Sequence, residues 1–350
     1  MTSSEIVPTP PESPSVPASE AAGPPGTFTG FQASRYRRLL LLLSTVMVVV
    51  SLLGFLVNGM DPQIRAPLRA GLDFRGGTSI QLELACHDPG PCTTSQRLRL
   101  PLVRSVLADV QLEPAGDQQP APALSSFNVQ LLDNGEGVLL RSTALTIAQA
   151  QAIEEQLATA ESLAPFQRER TQVDTIGPSL GVQLLQSALR ALGVAFLGVA
   201  LYIAFRFSPL NAALALGALV HDVVIVAGLF AWLGQVWDVQ VGSLFAVALL
   251  TLAGYSVNDT VVVFDRIRET DRLHPRLGVI ARIDRSIAAS LVRSLNTSVT
   301  TELPILALAF FSGGELRWFA VALAFGIGVG TYSSLFVAPL LLGLLKKDTA

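Results

Sequence analysis

The chain has 350 residues, of which 50% are hydrophobic and only 15% are charged, and its formal net charge is −3. This composition is typical of a protein embedded in a membrane. The basic residues do not gather on a soluble domain, which argues against nucleic acid as a partner.

The N-terminal part of the chain predicts a tail followed by a membrane anchor. Residues 1–34 are rich in Pro, Ser, Ala, Gly and Thr, so we expect a disordered cytosolic tail. Residues 37–58 are the first predicted transmembrane helix, because they contain an apolar run of about 19 residues, long enough to cross the hydrocarbon. Arg35, Arg37 and Arg38 precede this run and favour a cytosolic N-terminus.

Residues 59–186 are a mixture of polar and apolar residues with many turn residues, and they predict an extracytoplasmic α+β domain. Their periodicity indicates strands at 78–85, 126–132, 138–142 and 166–174, and helices at 95–109 and 146–162. The order β-α-β-β-α-β is that of the ferredoxin-like fold.

Residues 187–345 predict transmembrane helices 2–6, and residues 346–350 a short cytosolic tail. The apolar segments are 187–207, 210–233, 242–264, 288–311 and 316–345. We therefore expect an α-helical polytopic membrane protein with six transmembrane helices and one ferredoxin-like domain between helices 1 and 2.

The distribution of arginine and lysine predicts the orientation. Residues 265–287 hold six arginines, Arg206 lies in the second-to-third connection, and Lys346 and Lys347 end the chain, whereas the opposite short loops hold little positive charge. The positive-inside rule then places both termini in the cytosol and residues 59–186 outside.

Asp259 is the main candidate for function, because it lies inside the span 242–264. A carboxylate at a bilayer centre costs roughly 2.5–3.5 kcal/mol or more and usually marks an ion or proton pathway. Arg293 lies about as deep in the next span, roughly 7–9 Å from the same end, so the two charges can meet. Arg293, Asn296, Thr297 and Thr300 share one helical face. A static salt bridge that fixes helix register is the alternative.

Other polar residues inside the spans are weaker candidates. His221 and Asp222 lie near the middle of the third span, where they predict either a relay that supports Asp259 or a simple polar contact between helices. Adjacent residues point about 100° apart, so only one of them should face a given neighbour. Asn258 precedes Asp259, and Glu302 is an acid in the fifth span for which the sequence offers no role. Gly326, Gly328 and Gly330 indicate close helix packing.

Covalent and catalytic chemistry is little represented. Cys86 and Cys92 lie close together in the predicted outer domain, where a disulfide or two free thiols are both open alternatives. No cysteine or histidine spacing is typical of a metal site, and no Walker-type lysine loop occurs, so we expect neither an enzyme nor a bound cofactor.

Several short segments carry a family resemblance in order and spacing. They are 71–78 (GLDFRGGT), 175–181 (TIGPSLG), 204–207 (AFRF), 220–223 (VHDV), 254–266 (GYSVNDTVVVFDR), 293–301 (RSLNTSVTT) and 330–334 (GTYSS). Together they resemble the SecF branch of the SecD/SecF family of protein-export membrane proteins, within the resistance-nodulation-division superfamily. The resemblance covers about residues 37–345 and excludes the N-terminal tail and the cysteine loop.

This resemblance implies a subunit of the Sec machinery in the bacterial cytoplasmic (inner) membrane. With SecD it would use the proton or sodium gradient to drive late stages of preprotein export through the SecY, SecE and SecG channel, in contact with membrane lipid. The resemblance assigns ion coupling to Asp259 and Arg293, with Asp222 and Asn258 as additions. The alternatives are a half-transporter that exports a small molecule or lipid, and a membrane scaffold without ion coupling.

Overall fold

A computed structural model describes residues 32–62, 64–85, 93, 97–110, 112, 127–132, 135–142, 145–160, 163, 166 and 171–346. Cys86 and Cys92 lie outside the described residues, so their disulfide stays a prediction. The predicted tail, residues 1–34, overlaps the structured part of the chain by two residues, because a 3₁₀ turn begins at Ala33 and ends at Tyr36. Ser34 holds this turn in place by donating from its N and Oγ to Asp284, at 2.9 and 2.5 Å.

Helix α1 (Arg37–Met60) leads through a short helix α2 (Leu72–Arg75) into a small α+β domain. This domain contains β1 (Gly77–Glu83), α3 (Leu100–Ala108), β2 (Asn128–Leu132), β3 (Gly137–Ser142), α4 (Ile147–Thr159) and β4 (Gln172–Ile176). The described strands form one antiparallel sheet in the order β2-β3-β1-β4. The predicted β-α-β-β-α-β order is therefore confirmed, and the sheet is that of a split β-α-β arrangement.

The α+β domain has its own core on one face of this sheet. Ile80 and Leu82, alternate residues of β1, point into this core together with Leu140 of β3. They belong to one buried cluster with Ile153 and Leu157 of α4. Helix α4 begins where predicted because Thr146 and Gln149 form a capping box, with Thr146 Oγ1 accepting from Gln149 N at 3.2 Å. The last strand runs at 172–176 and is thus shorter than the predicted 166–174 segment.

The described residues from 178 to 345 are mostly helical. Their helices are α5 (Pro178–Arg206), α6 (Pro209–Trp237), α7 (Ser243–Leu273), α8 (Val279–Phe311), α9 (Gly314–Tyr332) and α10 (Ala338–Leu345), with a π-helical turn at Ser333–Val337 between the last two. Helix α5 starts before the predicted boundary at residue 187, because Pro178 is favourable in a first helical turn. Pro339 has no N–H to give to the preceding turn, which accounts for the π-helical turn at this point.

Five helical segments are long and apolar enough to cross a membrane: Ala33–Met60, Ser179–Arg206, Pro209–Trp237, Ser243–Leu273 and Gly314–Leu345. The predicted fifth span, 288–311, does lie in one continuous helix, α8. Its hydroxyl residues and its charged residues lower its mean hydropathy, so α8 is not among these five apolar segments. The membrane character of the chain is clear, whereas the count of six spans stays a prediction.

The segment GLDFRGG joins the α+β domain to the helical bundle. Asp73 accepts hydrogen bonds from Ser243 N, at 2.7 Å, and from Ser243 Oγ, at the N-terminus of α7. Gly71 N donates to Val241 O at 2.9 Å. A Cβ at Gly181 would lie only 2.7 Å from Gly76 N, so α5 begins in close contact with this joint. The start of α7 is thereby fixed to the domain.

Small residues allow the central helices to approach closely, as the glycine pattern predicts. A Cβ at Gly326 would lie 3.0 Å from Leu252, and a Cβ at Gly330 would lie 3.3 Å from Ser256, so both glycines face α7. Gly228 of α6 lies against Ser51 of α1, where a Cβ would overlap the serine. Helix α7 packs against α5, α6, α8 and α9 and is the central helix of the bundle.

Candidate functional site

Two carboxylates are buried between the central helices. Asp222 of α6 is 0% exposed and Asp259 of α7 is 5% exposed. Helix packing alone does not explain two acids in an apolar interior, since an uncompensated carboxylate there is costly. Their hydrogen-bond partners therefore decide what the site can do.

Asp222 is held by three donors from three directions. Ser256 Oγ of α7 donates to its Oδ2 at 2.6 Å, and Ser333 Oγ of the π-helical turn donates to the same oxygen at 2.7 Å. His221 Nδ1 lies 2.9 Å from Asp222 Oδ1. Asp222 thus ties α6 to α7 and to the π-helical turn.

His221 extends this network to helix α1. Its Nε2 lies 2.7 Å from Ser44 Oγ, so a Nδ1–H tautomer donates to Asp222 and accepts from Ser44. We expected only one residue of the adjacent pair His221 and Asp222 to face a given neighbouring helix. This holds, because His221 faces α1 and Asp222 faces α7. It does not exclude the hydrogen bond between the two side chains that the structure contains.

In the described part of the chain, the side-chain hydrogen bonds of Asp259 come from hydroxyl groups only. Ser294 Oγ of α8 donates to Oδ1 at 3.0 Å, and Ser334 Oγ of the π-helical turn donates to Oδ2 at 3.0 Å. A hydroxyl can donate to a carboxylate or accept from a protonated carboxyl by rotating its hydrogen. The arrangement therefore suits a group that changes its protonation state without moving heavy atoms.

The structure does not place Arg293 in contact with Asp259. Arg293 is exposed on α8, and no ion pair joins the two side chains among the described residues, although the arginine charge acts on Asp259 through space. The physical reason is helical phase: Ser294, about 100° further round α8, occupies the face towards α7. The predicted direct meeting of the charges is absent from this conformation.

The rest of the predicted polar stripe is also exposed. Asn296, Thr297 and Thr300 of α8 point away from the bundle, as does Asn258 of α7. Asn258 therefore lies on an outer face of α7, whereas the side chain of Asp259 is buried in the core. These side chains are exposed polar groups of α7 and α8 that the single chain leaves uncovered.

Several functional candidates were missed by the sequence reasoning. Besides the serines already named, Ser298 Oγ lies 2.5 Å from Thr331 Oγ1, and Tyr255 OH lies 3.2 Å from Ser298 Oγ. A signal for them was present, because hydroxyl residues recur every fourth position along α8. Ser286, Ser290, Ser294 and Ser298 are all buried, and their spacing marks the packed face of that helix.

The comparisons with known proteins agree with one another. Residues 156–348 match the family described as protein export membrane protein SecD/SecF, C-terminal. A relative from Prochlorococcus marinus, named protein translocase subunit SecF, is 42% identical over 318 residues, which cover 91% of this chain and 96% of the relative. A Synechocystis protein of the same name is 37% identical over 306 residues, covering 87% of this chain and 91% of that protein.

This chain belongs to the SecF family of protein translocase subunits. The predicted resemblance is thereby confirmed, and the exporter of a small molecule or lipid is not favoured. A solved structure supports the fold: the crystal structure of SecDF, a translocon-associated membrane protein, from Thermus thermophilus has a TM-score of 0.72 and 28% identity. That match covers 90% of this chain but only 38% of the longer SecDF chain.

The SecF segments recognised in the sequence have distinct places in the fold. Segment 71–78 forms the joint between the α+β domain and the bundle. Segments 220–223, 254–266, 293–301 and 330–334 contribute the side chains around the two buried carboxylates. Most of the segments that resemble SecF therefore lie either at the joint between the α+β domain and the bundle or around the two buried carboxylates.

Proposed function

We propose that this SecF chain works with SecD to convert a proton or sodium gradient into late-stage export of preproteins through the SecY, SecE and SecG channel. Asp259 is the ion-coupling carboxylate in this proposal. The observation that carries it is that Asp259 accepts hydrogen bonds from two hydroxyl groups and pairs with no Lys or Arg among the residues that the structure describes. A permanently paired carboxylate would stay ionised, whereas this one can take up and release an ion.

Helix α8 is the fifth of six transmembrane helices in this proposal. It runs beside α7 and α9 and has 33 residues, so at 1.5 Å per residue it is long enough to cross the bilayer. Of its buried serines, Ser294 donates to Asp259 and Ser298 shares a hydrogen bond with Thr331 of α9, which lowers the cost of polar groups at that depth.

Charges that gather at one end of the bundle support the orientation in this proposal. Arg206 pairs with Asp265 at 2.6 Å, and Lys346 and Arg282 pair with Asp271 at 2.7 and 3.2 Å. The α+β domain joins the opposite end through Asp73 and Ser243. The positive-inside rule favours the charged end, with both chain termini, in the cytosol of the bacterial inner membrane.

The exposed polar face of α7 and α8 supports the partnership with SecD. Arg293, Asn296 and Asn258 would face lipid if this bundle stood alone, and such residues normally face a bundle interior. A homologous half covering this face would bury them and bring further polar groups near Asp259. The SecDF relative, whose chain is longer than this one, fits such an assembly.

In this proposal, ion binding at Asp259 is coupled to the outer domain through helix α7. Protonation or ion binding at Asp259 changes its hydrogen bonds to Ser294 and Ser334. Because these serines lie on α8 and on the π-helical turn, the packing of α7 against both elements changes as well. Arg293 and Asp222 set the local charge that Asp259 experiences. Because Asp73 holds the start of α7, motion of this helix reaches the outer domain, which faces the emerging preprotein.

The proposal is tested with this chain and SecD reconstituted together in proteoliposomes. Imposed proton and sodium gradients, with lumenal pH and sodium dyes as readouts, identify the coupling ion. Wild type is expected to take up one of the two ions, and Asp259→Asn, which keeps the shape and removes the titration, is expected not to. Equal uptake by both proteins would refute the assignment of Asp259.

A further inference from the structure

Asp238, directly after α6, has a backbone conformation that its residue type seldom adopts. Its φ is 57° and its ψ is 25°, in the left-handed region, and its N–H caps α6 by donating to Leu233 O. Glycine is the usual residue at such a helix end, because it has no Cβ to hinder this conformation. An acid is also the less favourable charge here, since the C-terminus of a helix carries a partial negative charge. Two local preferences are therefore overridden at this position.

The side chain of Asp238 joins α6 to the α+β domain. Its Oδ1 pairs with Arg69 Nη1, and its Oδ2 accepts from Asn128 Nδ2 of β2 at 3.3 Å. Gln130 Nε2, on the same face of β2, lies 3.5 Å from the backbone carbonyl oxygen of Asp238. The side chain of Arg69 is only 15% exposed, so its charge needs a close counter-charge. Asp238 supplies that charge and also contacts β2, an edge strand of the sheet.

A second contact, at the other end of the same loop, holds α7. The loop connects α6 to α7, and Ser243 at the start of α7 donates to Asp73. Between the two contacts, Val241 N donates to Arg69 O and Gly71 N donates to Val241 O, both at 2.9 Å. The domain is therefore attached to α6 and to α7 at different points.

Helices α6 and α7 are also the helices that hold the two buried carboxylates. Asp222 lies on α6 and Asp259 lies on α7. A shift of one helix along the other moves the Asp238 contact relative to the Ser243 contact. Because both contacts are made with the same domain, such a shift turns the domain.

We propose that Asp238 is a positioning residue that holds the edge of the sheet on α6, so that movement between α6 and α7 is passed to the α+β domain. The turn alone does not account for an aspartate, since glycine forms it without hindrance from a Cβ. The contacts with Arg69 and Asn128 do account for it. The inference rests on the proposed function for the movement that is transmitted, whereas the position of the domain does not depend on ion coupling.

A distance measurement tests the position of the domain directly. Spin labels are attached to Gln151→Cys on α4 and to Phe311→Cys at the end of α8, both exposed, in the full chain with SecD and without the two native cysteines. We expect one narrow distance distribution, which Asp238→Gly should broaden or shift. Glu155→Gln, at an exposed acid of α4, should leave it unchanged. An unchanged distribution for Asp238→Gly would overturn the proposal, whichever ion is coupled.

Two substitutions at Asp238 separate its positioning role from a role in the turn alone. Asp238→Gly favours the turn and removes the side-chain contacts, whereas Asp238→Glu keeps the charge and is less suited to the left-handed conformation. If the residue only shaped the turn, Asp238→Gly would be the better tolerated variant. We expect the opposite order in gradient-stimulated preprotein export, with a loss of about tenfold for Asp238→Gly, as for a lost charge-assisted bond, and partial activity for Asp238→Glu.

Ion uptake into proteoliposomes, measured on the same variants, completes the test. Uptake should be retained in Asp238→Gly, because the network around Asp259 is unchanged, so this variant should take up ions without driving export. Arg69→Ala, which removes the same pair from the other side, should behave alike. Wild-type export by Asp238→Gly, or an equal loss of uptake and export, would overturn the proposal. Absence of gradient-driven uptake in wild type would instead refute the proposed function, and the distance measurement would still decide the role of Asp238.

Discussion

Ser333 and Ser334, consecutive residues of one π-helical turn, donate to two different buried carboxylates. Ser333 Oγ lies 2.7 Å from Asp222 Oδ2, and Ser334 Oγ lies 3.0 Å from Asp259 Oδ2. π-Helical turns are rare and frequently occur at functional sites. This turn therefore gives the two acids a common structural support.

Ser334→Ala should impair ion coupling while the fold is retained. The variant removes one of the two donors to Asp259, a bond of about 1.5–3 kcal/mol for a charged acceptor, so gradient-driven uptake should fall by about tenfold or more. Uptake in proteoliposomes with SecD measures this. Ser312→Ala is the control, because Ser312 Oγ only bonds Leu308 O, at the far end of α8. Equal uptake in the two variants would show that the Ser334 bond is dispensable.

Arg293→Ala should be nearly as damaging as loss of the Asp259 carboxylate. Arg293 acts on Asp259 through space and lies on the face that the proposal assigns to SecD, so its removal affects both the field and the interface. Arg293→Lys should retain part of the activity, because the charge remains and the planar fork is lost. Co-purification with SecD, measured beside ion uptake, separates the two roles. Wild-type uptake by Arg293→Ala would contradict the proposed role.

Gly228→Ala should destabilise the packing of α1 on α6. The added methyl group would overlap Ser51, and overpacking of this kind costs about 1–3 kcal/mol. A lower thermal unfolding midpoint in detergent is the expected result. Ser51→Gly in the same chain should restore part of the loss, and Gly217→Ala, where no atom lies within 4 Å, should change little. An unchanged midpoint for Gly228→Ala would count against this close contact.

Gln151 and Arg276 should be accessible from opposite sides of the membrane. Both are exposed, one on α4 of the α+β domain and the other between α7 and α8. Single-cysteine variants in a Cys86→Ser, Cys92→Ser background are treated with an impermeant maleimide. Gln151→Cys should react in intact cells, and Arg276→Cys only in inverted vesicles. The reverse pattern would invert the topology.

The sequence was sufficient for the order of elements but not for helical phase. Alternation and periodicity in 59–186 predicted the β-α-β-β-α-β order, because strands and helices there have clear apolar faces. The sequence predicts that Arg293 and Asp259 meet because they lie at similar depth in adjacent spans that can pack antiparallel. Depth does not say which side of α8 faces α7, and Ser294, one residue later, is the residue on that side.

Two further features depended on information beyond local pattern. The π-helical turn arises where Pro339 interrupts the helix, and its register decides that Ser333 and Ser334 each reach a different acid. Glu302 lines a groove formed by α1, α8 and α9, a placement that no local pattern in the sequence indicates. The four-residue serine repeat of α8 was visible in the sequence and would have given the correct phase.

The most direct test of the central claim is late-stage preprotein translocation into inverted membrane vesicles, with and without a proton or sodium gradient. Asp259→Asn is compared with Asp265→Asn, which changes an acid on the same helix that is paired with Arg206 at the charged end of the bundle. In vesicles with Asp259→Asn, the protein should be inserted and assembled but the gradient should no longer stimulate translocation, whereas vesicles with Asp265→Asn should keep the stimulation. Asp259→Asn vesicles that respond to the gradient as wild type does would contradict the account.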